Sequence, residues 1–333
     1  NSCQLALTED GSARNCSYFS STSHSLGPTV GAVAGSSATG SILTVPCNVA
    51  PGAAAVAVGV VGWSGTPGTF PNVRIVTWNV NSLKARLPRV EAWLTQVGPD
   101  VVCLQETKLA DPAFPALTFQ ALGYESAHHG EGRWNGVAIL SKVGLDDVAY
   151  GFGCDYPELY REARILTATC GGVRVSSVYV PNGREVGHDH YRYKLAWLTE
   201  LRRFLDRDEP TANRVLCGDF NVAPDDRDVW DVGEFHGATH VSAPEREALA
   251  ELCDWGLVDV FRERYDAGGL YSWWDYRAGN FHKGKGMRID LILASRPLVE
   301  RLGAVLIDRN ARKGESPSDH APLLADFVLP EVP

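Results

Sequence analysis

Short apolar runs alternate with polar segments between residues 73 and 330, and most of these runs have the length of β-strands. Predicted strands span residues 73–78, 101–104, 136–140, 163–169, 173–180, 215–219, 271–274, 288–293, 304–307 and 323–328. The Gly171-Gly172 pair between two of them is typical of a hairpin turn. This part of the chain is therefore predicted to be rich in strands, with at least one antiparallel pair.

Apolar residues recur at helical spacing in three segments that lie between predicted strands. Residues 191–205 and 245–253 form two of these predicted helices. The third follows Ser82, a suitable helix cap, but Pro88 predicts that the helix itself starts near the proline. Strands outnumber helices and a hairpin is present. This favours a layered α/β (α+β) sandwich with mixed sheets over a purely parallel sheet.

The composition is that of a globular protein without a uniform basic field. The 333 residues carry a formal net charge of −9, which excludes a uniformly basic nucleic-acid binder but not a local basic patch. Eight cysteines are widely spaced and form no CxxC pair, which disfavours a zinc site and a disulfide framework. Free thiols in apolar runs indicate a reducing, cytoplasmic compartment.

Residues 1–72 differ from the rest of the chain. They are rich in Gly, Ser, Ala, Thr and Val, and they carry only three charged side chains. The apolar stretch 49–63 is too short and too interrupted by Gly and Pro to span a membrane. We therefore expect a low-complexity, disordered extension ahead of one folded domain, residues 73–330, and no membrane partner.

One apolar run, residues 215–217, leads into two short polar side chains, Asp219 and Asn221. Residues i and i+2 of an extended chain share a face, so both side chains can address one substrate atom. A carboxylate beside an amide can orient and deprotonate a water or hold a divalent cation. The same pair is also typical of an Asx turn that closes a strand, and this segment alone leaves both interpretations open.

Polar side chains adjoin other predicted strands in the same way. They are Asn79, Glu106, Asn182 and the pair Asp319-His320. Polar residues at the ends of several strands indicate that these strands converge on the opening of one pocket. The oxygen donors of Asn79, Glu106 and Asp319 suit Mg²⁺ or Mn²⁺. His320 is a candidate for proton transfer or for donation to a phosphoryl oxygen.

Motifs of two other enzyme classes are missing from the sequence. There is no G-x-S-x-G elbow and no G-x-x-x-x-G-K-[ST] loop, which disfavours a serine hydrolase and a P-loop nucleotide site. Metal-assisted hydrolysis of a phosphate ester remains. Structural alternatives stay open for single residues. His320 suits a turn and Tyr179 the core, while Asp290 can pair with Arg288, and Glu106 with the nearby Lys108.

Six motifs carry a resemblance to a known family. They are Thr77-Trp78-Asn79-Val80-Asn81, Leu104-Gln105-Glu106-Thr107-Lys108, Tyr179-Val180-Pro181-Asn182-Gly183, Gly218-Asp219-Phe220-Asn221, Arg288-Ile289-Asp290 and Ser318-Asp319-His320. In these motifs and their order, residues 73–330 resemble the exonuclease III and abasic-site (AP) endonuclease family of the endonuclease/exonuclease/phosphatase superfamily. The resemblance implies a DNase I-like, four-layer α/β/β/α sandwich with two mixed β-sheets and an active site at one end.

The resemblance also implies a metal site at the matching positions. Glu106 is the expected principal Mg²⁺ ligand, with Asn79 close by and Asp319 as a second carboxylate. The full set expected around the metal is Asn79, Glu106, Asp219, Asn221, Asp319 and His320.

Roles in hydrolysis follow from the same resemblance. Asp219 is expected to activate the attacking water, which Asn221 holds in place. His320 is expected to contact the scissile phosphate and to be oriented by Asp290. The remaining expected phosphate contacts are Tyr179 and Asn182.

Two positions depart from the pattern of the vertebrate-type abasic endonucleases. Asn81 stands where those relatives carry an Asp near the metal, and Met287 stands where they carry a Trp that lines the abasic pocket. We therefore expect an apolar and adaptable pocket formed by Trp273, Met287 and Ile289.

A local basic patch offers a surface for DNA despite the negative net charge. Residues 276–313 carry nine Lys and Arg against three acidic residues. We expect Arg133, Lys283 and Lys285 to contact DNA, together with Trp273 and Met287 of the pocket. An ordinary solvated loop is the alternative interpretation of this segment.

The sequence and the resemblance together predict a DNA phosphodiesterase of base-excision repair that uses Mg²⁺, with Mn²⁺ as the alternative ion. It is expected to act as a 3′→5′ exonuclease on duplex DNA and as an endonuclease 5′ to abasic sites. The expected partner is double-stranded DNA with abasic sites or 3′ ends, bound by a monomer in a bacterial-type cytoplasm, associated with the nucleoid. Two alternatives remain: another phosphodiesterase of the superfamily, or a catalytically inactive nucleic-acid-binding regulator.

The start of the native protein is a separate hypothesis. The sequence has no initiator Met, its only methionine being Met287, and Val73 begins the patterned segment. We expect residues 1–72 to be upstream sequence and Val73 to be read from an alternative start codon. N-terminal sequencing of the natively expressed protein measures this directly. A mature start well before residue 70 contradicts the hypothesis.

Overall fold

The apolar runs form two mixed β-sheets in the computed structural model, which describes residues 72–153 and 162–329. The predicted extension, residues 1–72, lies outside the described residues except for Asn72. In spatial order the first sheet contains β11 (Leu302–Ile307), β12 (Leu323–Val328), β1 (Asn72–Asn79), β2 (Val101–Gln105), β4 (Val137–Ser141) and β3 (Glu125–His129). The second contains β5 (Asp146–Tyr150), β6 (Ile165–Cys170), β7 (Val173–Tyr179), β8 (Arg214–Asp219), β10 (Asp290–Ser295) and β9 (Leu257–Asp259).

Each sheet contains one parallel pair, β1 with β2 and β7 with β8, and its other neighbours pair antiparallel. The predicted hairpin at Gly171-Gly172 joins β6 to β7. Because a parallel pair needs a crossover, helices α1 (Leu83–Val97) and α3 (Asp189–Leu205) connect these two pairs. The sheets are therefore mixed, as the sequence predicts.

Alternating side chains on the central strands fill three apolar layers. Ile75 and Cys217 belong to the core between the two sheets. On the outer face of the first sheet, Trp78 packs with α1 and with α2 (Ala116–Ala121). On the outer face of the second, Leu216 packs with α3 and with α4 (Ala243–Asp254). Two short helices, α5 (Asn280–Lys283) and α6 (Arg296–Val299), complete the set. The layers run α/β/β/α, which confirms the predicted fold.

Helix α1 begins earlier than predicted. It starts at Leu83 and runs through Pro88, and the Ser82 side chain forms no capping hydrogen bond. The backbone N–H of Ser82 donates instead to the carbonyl oxygen of Glu106 at 2.7 Å, and that of Leu83 donates to Thr107 at 3.0 Å. Burial of the apolar face of α1 against the first sheet offsets the hydrogen bond that Pro88 cannot donate.

The predicted strand at residues 271–274 is wrong. Trp273 forms only isolated bridges, one with Met287 and one with His320. Its N–H donates to the Met287 carbonyl at 2.9 Å, and the Met287 N–H donates back at 3.0 Å. The aromatic run at 271–274 reflects burial, since Trp274 is buried.

Four strands end at one edge of the sandwich. Tyr179 at the end of β7 lies opposite Asp219 at the end of β8, and Asp219 lies opposite Asp290 at the start of β10. In the other sheet, Asn79 at the end of β1 lies opposite Gln105, directly before Glu106. The topology therefore brings together side chains that are far apart in sequence.

Within residues 72–153 and 162–329, no helix combines the length and the apolar character that crossing a bilayer requires. In the same part of the chain, the four cysteines 103, 170, 217 and 253 are free thiols.

Gly218 is required where β8 approaches β7. A Cβ atom at this position would lie 1.9 Å from the carbonyl oxygen of Val178. We expect Gly218→Ala to lower the free energy of unfolding by about 1–3 kcal/mol, because an overpacked core must shift its backbone. Urea denaturation measures the change. Gly233→Ala is the control, because Gly233 lies on an exposed turn where a Cβ atom would come no closer than 3.2 Å to the Asp231 side chain. Equal midpoints for the wild type and Gly218→Ala would contradict this packing argument.

Candidate active site

The amide of Asn79 joins the two sheets at their common edge. Its Nδ2 donates to Glu106 Oε1 and to Asp219 Oδ2, both at 2.9 Å. Its Oδ1 accepts from the backbone N–H of Asn81 at 2.9 Å, which fixes the orientation of the amide. Asn79 therefore holds two carboxylates close together although they come from different sheets.

Three candidate metal ligands lie at this edge. The ligand atoms of Glu106, Asp219 and His320 all lie within 4.8 Å of one another. Two carboxylate oxygens and an imidazole nitrogen form a donor set that fits a divalent cation such as Mg²⁺ or Mn²⁺. Glu106 has a φ of 50°, a left-handed conformation that is uncommon for a residue with a side chain. This strained backbone turns the Glu106 carboxylate toward Asp219.

Lys108 and Tyr179 also contact Glu106. Lys108 Nζ lies 2.8 Å from Glu106 Oε2, so the pairing considered as an alternative for Glu106 does form. The Tyr179 hydroxyl is hydrogen-bonded to the same carboxylate, and burial, followed by the charge of Glu106, raises the pKa of Tyr179 well above its ordinary value. Tyr179 is thus a neutral hydroxyl at the site at neutral pH.

His320 lies between two carboxylates. Its Nδ1 is 2.8 Å from Asp290 Oδ2, and its Nε2 is 3.8 Å from Asp219 Oδ2. Burial lowers the pKa of His320, but Asp290 and Asp219 outweigh this effect and raise it to about 10. Arg288 instead pairs with Asp228 at 2.6 Å, so the pairing of Asp290 with Arg288 is wrong.

The pKa of Asp219 is raised to about 7. Burial is the main cause; the nearby charges of Asp290 and Glu106 add to it, while His320 opposes it. Asp219 Oδ1 also accepts from the backbone N–H of Asn221 at 2.9 Å. The Asx contact considered from the sequence is therefore present, and the other carboxylate oxygen still faces Asn79.

Asn182 and Asn221 form a second, amide-rich side of the site. Asn182 Nδ2 donates to Asn221 Oδ1 at 3.1 Å, and Asn221 Nδ2 donates to the Val180 carbonyl at 3.0 Å. Asn221 has a φ of 50°, which directs its side chain toward Asn182 instead of continuing the strand. The structure thus brings both predicted amides next to Asp219.

Asp319 lies beside the three-ligand group and is held by two donors. Its Oδ1 accepts from Asn81 Nδ2 at 2.9 Å, and its Oδ2 accepts from Trp273 Nε1 at 3.1 Å. Burial raises the pKa of Asp319, but His320 and these hydrogen bonds hold it below its ordinary value. Asn81, the position that departs from the pattern of the vertebrate-type abasic endonucleases, therefore orients Asp319.

An open pocket of about 260 Å³ lies beside this ring of polar residues. Trp273, Met287 and Lys285 line it, with Trp230 and His240 among the other lining residues. The Lys285 ammonium sits 3.9 Å from the centre of the Trp230 ring. Ile289, also predicted for a pocket, packs beneath it in the apolar cluster that contains Met287 and Trp273. Arg133 and Lys283 are both exposed on the surface.

Comparison with known proteins identifies the family. Residues 76–320 match the model of the Endonuclease/Exonuclease/phosphatase family. The chain belongs to this family. Members of the family depend on a divalent metal, and the group formed by Glu106, Asp219 and His320 fits that requirement.

Relatives with known names support a finer placement within the family. The chain is 35% identical over 269 residues to exodeoxyribonuclease III of Haemophilus influenzae, covering 77% of this chain and 100% of that protein. It is similar to the structure of an AP endonuclease from Archaeoglobus fulgidus, with a TM-score of 0.73, 37% identity and coverage of 77% and 100%. It is also similar to a Neisseria 3′ phosphatase, NExo, solved with a product DNA hairpin, with a TM-score of 0.73, 39% identity and coverage of 77% and 99%. The predicted family and the nuclease class are confirmed.

Several residues around the site escape sequence reasoning. Lys108 was considered only as a partner of Glu106, yet its Nζ also donates to Asn81 Oδ1 at 2.6 Å. Trp230 and His240 line the pocket from the long segment between β8 and α4, where no apolar period marks them. Among residues near the site, Lys194 can be found from the sequence, because it is a charged residue within the apolar face of helix α3.

We expect Asp290→Asn to lower nuclease activity by about 10–100-fold, the usual cost of removing the outer partner of a functional histidine. Without the carboxylate, the tautomer and orientation of the His320 ring are no longer fixed. Initial rates on an end-labelled duplex measure the loss. Asp326→Asn is the control, because Asp326 pairs with Arg74 at the other end of β12 and β1. Equal losses in both variants would contradict a specific role for Asp290.

Proposed function

We propose that this protein is a Mg²⁺-dependent DNA phosphodiesterase of base-excision repair. It removes nucleotides 3′→5′ from duplex DNA and cuts 5′ to abasic sites. The observation that carries the proposal is the convergence of Glu106, Asp219 and His320 within 4.8 Å, with Asp290 behind the histidine. Relatives named exodeoxyribonuclease III and AP endonuclease support both activities.

Asp219 acts as the general base in this proposal. Its pKa of about 7 suits a carboxylate that takes a proton from water near neutral pH. The water oxygen forms a bond to phosphorus while the bond from phosphorus to the 3′ oxygen breaks. The leaving 3′ oxygen takes a proton from solvent water, which leaves a 3′-hydroxyl and a 5′-phosphate, and Asp219 later returns its proton to solvent. Asn221 holds the water beside Asp219. The backbone N–H of Asn221 already fixes Asp219 Oδ1, so the water lies at the other carboxylate oxygen.

His320, Tyr179 and Asn182 face the phosphate. A protonated His320 and the neutral hydroxyl and amide donors stabilise negative charge on the phosphoryl oxygens. Mg²⁺, held by the carboxylate oxygens of Glu106 and Asp219, would supply further positive charge at the same oxygens, beside the protonated His320. Asn79 completes the predicted metal surroundings by orienting Glu106 and Asp219. Asp319, held by Asn81 and Trp273, adds a negative charge near His320.

DNA binds at the pocket and at the basic residues near it. Trp273 offers an apolar wall for a sugar that lacks its base, and Lys285 beside Trp230 contributes positive charge. Met287 is fully buried and packs behind Trp273, so it supports this wall instead of contacting DNA as predicted. Arg133 and Lys283, both exposed, reach the DNA backbone. The Neisseria relative solved with a DNA hairpin supports duplex DNA as the partner. We place the protein in the cytoplasm with the nucleoid, as a monomer.

Removal of a 3′ phosphate is a second candidate activity. The Neisseria relative at 39% identity carries the name 3′ phosphatase. The same base, metal ligands and phosphate donors serve hydrolysis of a terminal phosphate, since the same bond from phosphorus to the 3′ oxygen breaks and only the second ester substituent on phosphorus is missing. A duplex ending in a 3′ phosphate therefore belongs among the test substrates.

We expect the wild type to cut an abasic duplex and to degrade an intact duplex from its 3′ ends with Mg²⁺, and to be inactive with chelator. Asp219→Asn should lower the cleavage rate by at least about 10³-fold, because the amide cannot accept the proton of the water. Gel assays of labelled duplexes measure cleavage, and fluorescence anisotropy measures DNA binding, which should stay within about threefold of the wild-type Kd.

Arg203→Ala is the control variant, since Arg203 pairs with Glu200 on the exposed face of α3. A wild type that binds DNA but cuts it with neither Mg²⁺ nor Mn²⁺ would favour the inactive regulator. Cleavage of inositol phosphate or lipid substrates, with no cleavage of DNA, would favour another phosphodiesterase of the superfamily.

A further inference from the structure

Lys194 and Glu245 form an ion pair with both side chains fully buried behind the amide-rich side of the site. Lys194 lies on α3 and Glu245 on α4, so the pair joins the two helices that cover the second sheet. Within residues 72–153 and 162–329, neither residue forms a hydrogen bond or ion pair with the three-ligand group Glu106, Asp219 and His320; of the predicted metal set, Lys194 contacts only the backbone of Asn221.

The Lys194 ammonium holds the backbone of both site amides. Its Nζ donates to the Asn221 carbonyl at 2.6 Å and to the Asn182 carbonyl at 3.3 Å. These carbonyls belong to loops that follow different strands, β8 and β7. One buried cation therefore fixes the distance between two loops whose side chains meet at 3.1 Å.

The Glu245 carboxylate extends the same network to the pocket wall. It accepts from Thr239 Oγ1 at 2.7 Å and from the backbone N–H of His240 at 3.0 Å. Thr239 Oγ1 also lies 3.1 Å from the Asn182 carbonyl. The second carboxylate oxygen of Glu245 accepts from Ser242, and this contact caps α4. The loop that carries His240 is thus tied to the same point as Asn182 and Asn221.

Stability alone does not account for this arrangement. Removing two charges from water costs free energy that their attraction often fails to recover, and apolar residues of similar volume are often as stable or more so. A buried ion pair does fix geometry, because each charge demands its full set of partners. Every partner of Lys194 here is either Glu245 or a group next to the site.

We propose that Lys194 and Glu245 are positioning residues that set the spacing of Asn182 and Asn221 for phosphodiester hydrolysis. The inference rests on the proposed function, in which these amides hold the phosphate and the water. A displacement of about 1 Å at such groups costs about 10²-fold in rate, because the reacting atoms leave their productive geometry. Trp273, Lys285 and the exposed basic residues, to which DNA binding is assigned, make no hydrogen bond or ion pair with Lys194 or Glu245 within the described residues, so binding is expected to change far less than the rate.

The double variant Lys194→Met with Glu245→Gln tests the proposal. It removes both charges and keeps the side-chain lengths. The amide oxygen of the Gln side chain can still accept from Thr239 and His240, while its amide nitrogen replaces the oxygen that accepts from Ser242. The thermal midpoint of the variant is therefore measured beside its rate. At a temperature well below the unfolding midpoint, we expect the single-turnover cleavage rate of an abasic duplex to fall by about 10–100-fold. The Kd for that duplex should stay within about twofold.

A double-mutant cycle shows whether the pair acts through the site amides. Asn182→Ala removes one amide directly. Adding Lys194→Met with Glu245→Gln to this variant should lower its cleavage rate by less than about threefold. Full additivity of the two losses would overturn the proposal. Arg214→Met is the matched control, because Arg214 is a buried cation paired with Asp208 at the start of β8, away from the site. It should lower stability with the cleavage rate retained.

The outcomes separate this inference from the proposed function. A wild type that does not cleave DNA contradicts the proposed function. A wild type that cleaves, with a charge-free pair that cleaves at the same rate, contradicts only the positioning role. The remaining outcome is that Arg214→Met changes the rate and the thermal midpoint by the same amounts as Lys194→Met with Glu245→Gln. That result assigns Lys194 and Glu245 a structural role and overturns the proposal.

Discussion

A half-buried and a buried carboxylate from different sheets lie close together, and the rest of the site depends on how their repulsion is offset. Glu106 and Asp219 are bridged by the Asn79 amide, which donates to both at 2.9 Å. Asp290 brings a third carboxylate, and His320 stands between it and Asp219. Such a cluster is stable only with nearby positive charge, and the same requirement makes it a good place for a divalent cation and a phosphate.

The sheet topology makes this cluster possible. A parallel pair places two strand ends at the same edge, and this fold uses one such pair in each sheet, β1 with β2 and β7 with β8. Helices α1 and α3 return the chain for the second strand of each pair, so their positions are fixed by the connection. Left-handed backbone at Glu106 and Asn221 then turns the side chains inward immediately after the strands end. The strain is local, and the surrounding hydrogen bonds hold it in place.

Much of this arrangement is predictable because short continuous apolar runs mark the central strands, which are buried on both faces, and polar residues at their ends mark the edge. The edge strands β3 and β5 were missed, since Glu125–His129 and Asp146–Tyr150 are polar and partly exposed. Residues 271–274 show the opposite case. They have the composition of a strand because Trp274 is buried, yet the segment forms no β-ladder. The start of α1 was also misplaced, since its first N–H groups are satisfied by the loop at Glu106, which no local pattern records.

The two sides of the site are supported in physically different ways. On the carboxylate side, the groups orient one another directly, through Asn79 and the contact between Asp290 and His320. On the amide side, Asn182 and Asn221 follow strands into loops, and the support comes from the helical layer through Lys194. Sequence reasoning finds the first kind, because the residues lie within the motifs. The second kind depends on two helices packing side by side, so substitutions in α3 and α4 can change the chemistry without touching a motif.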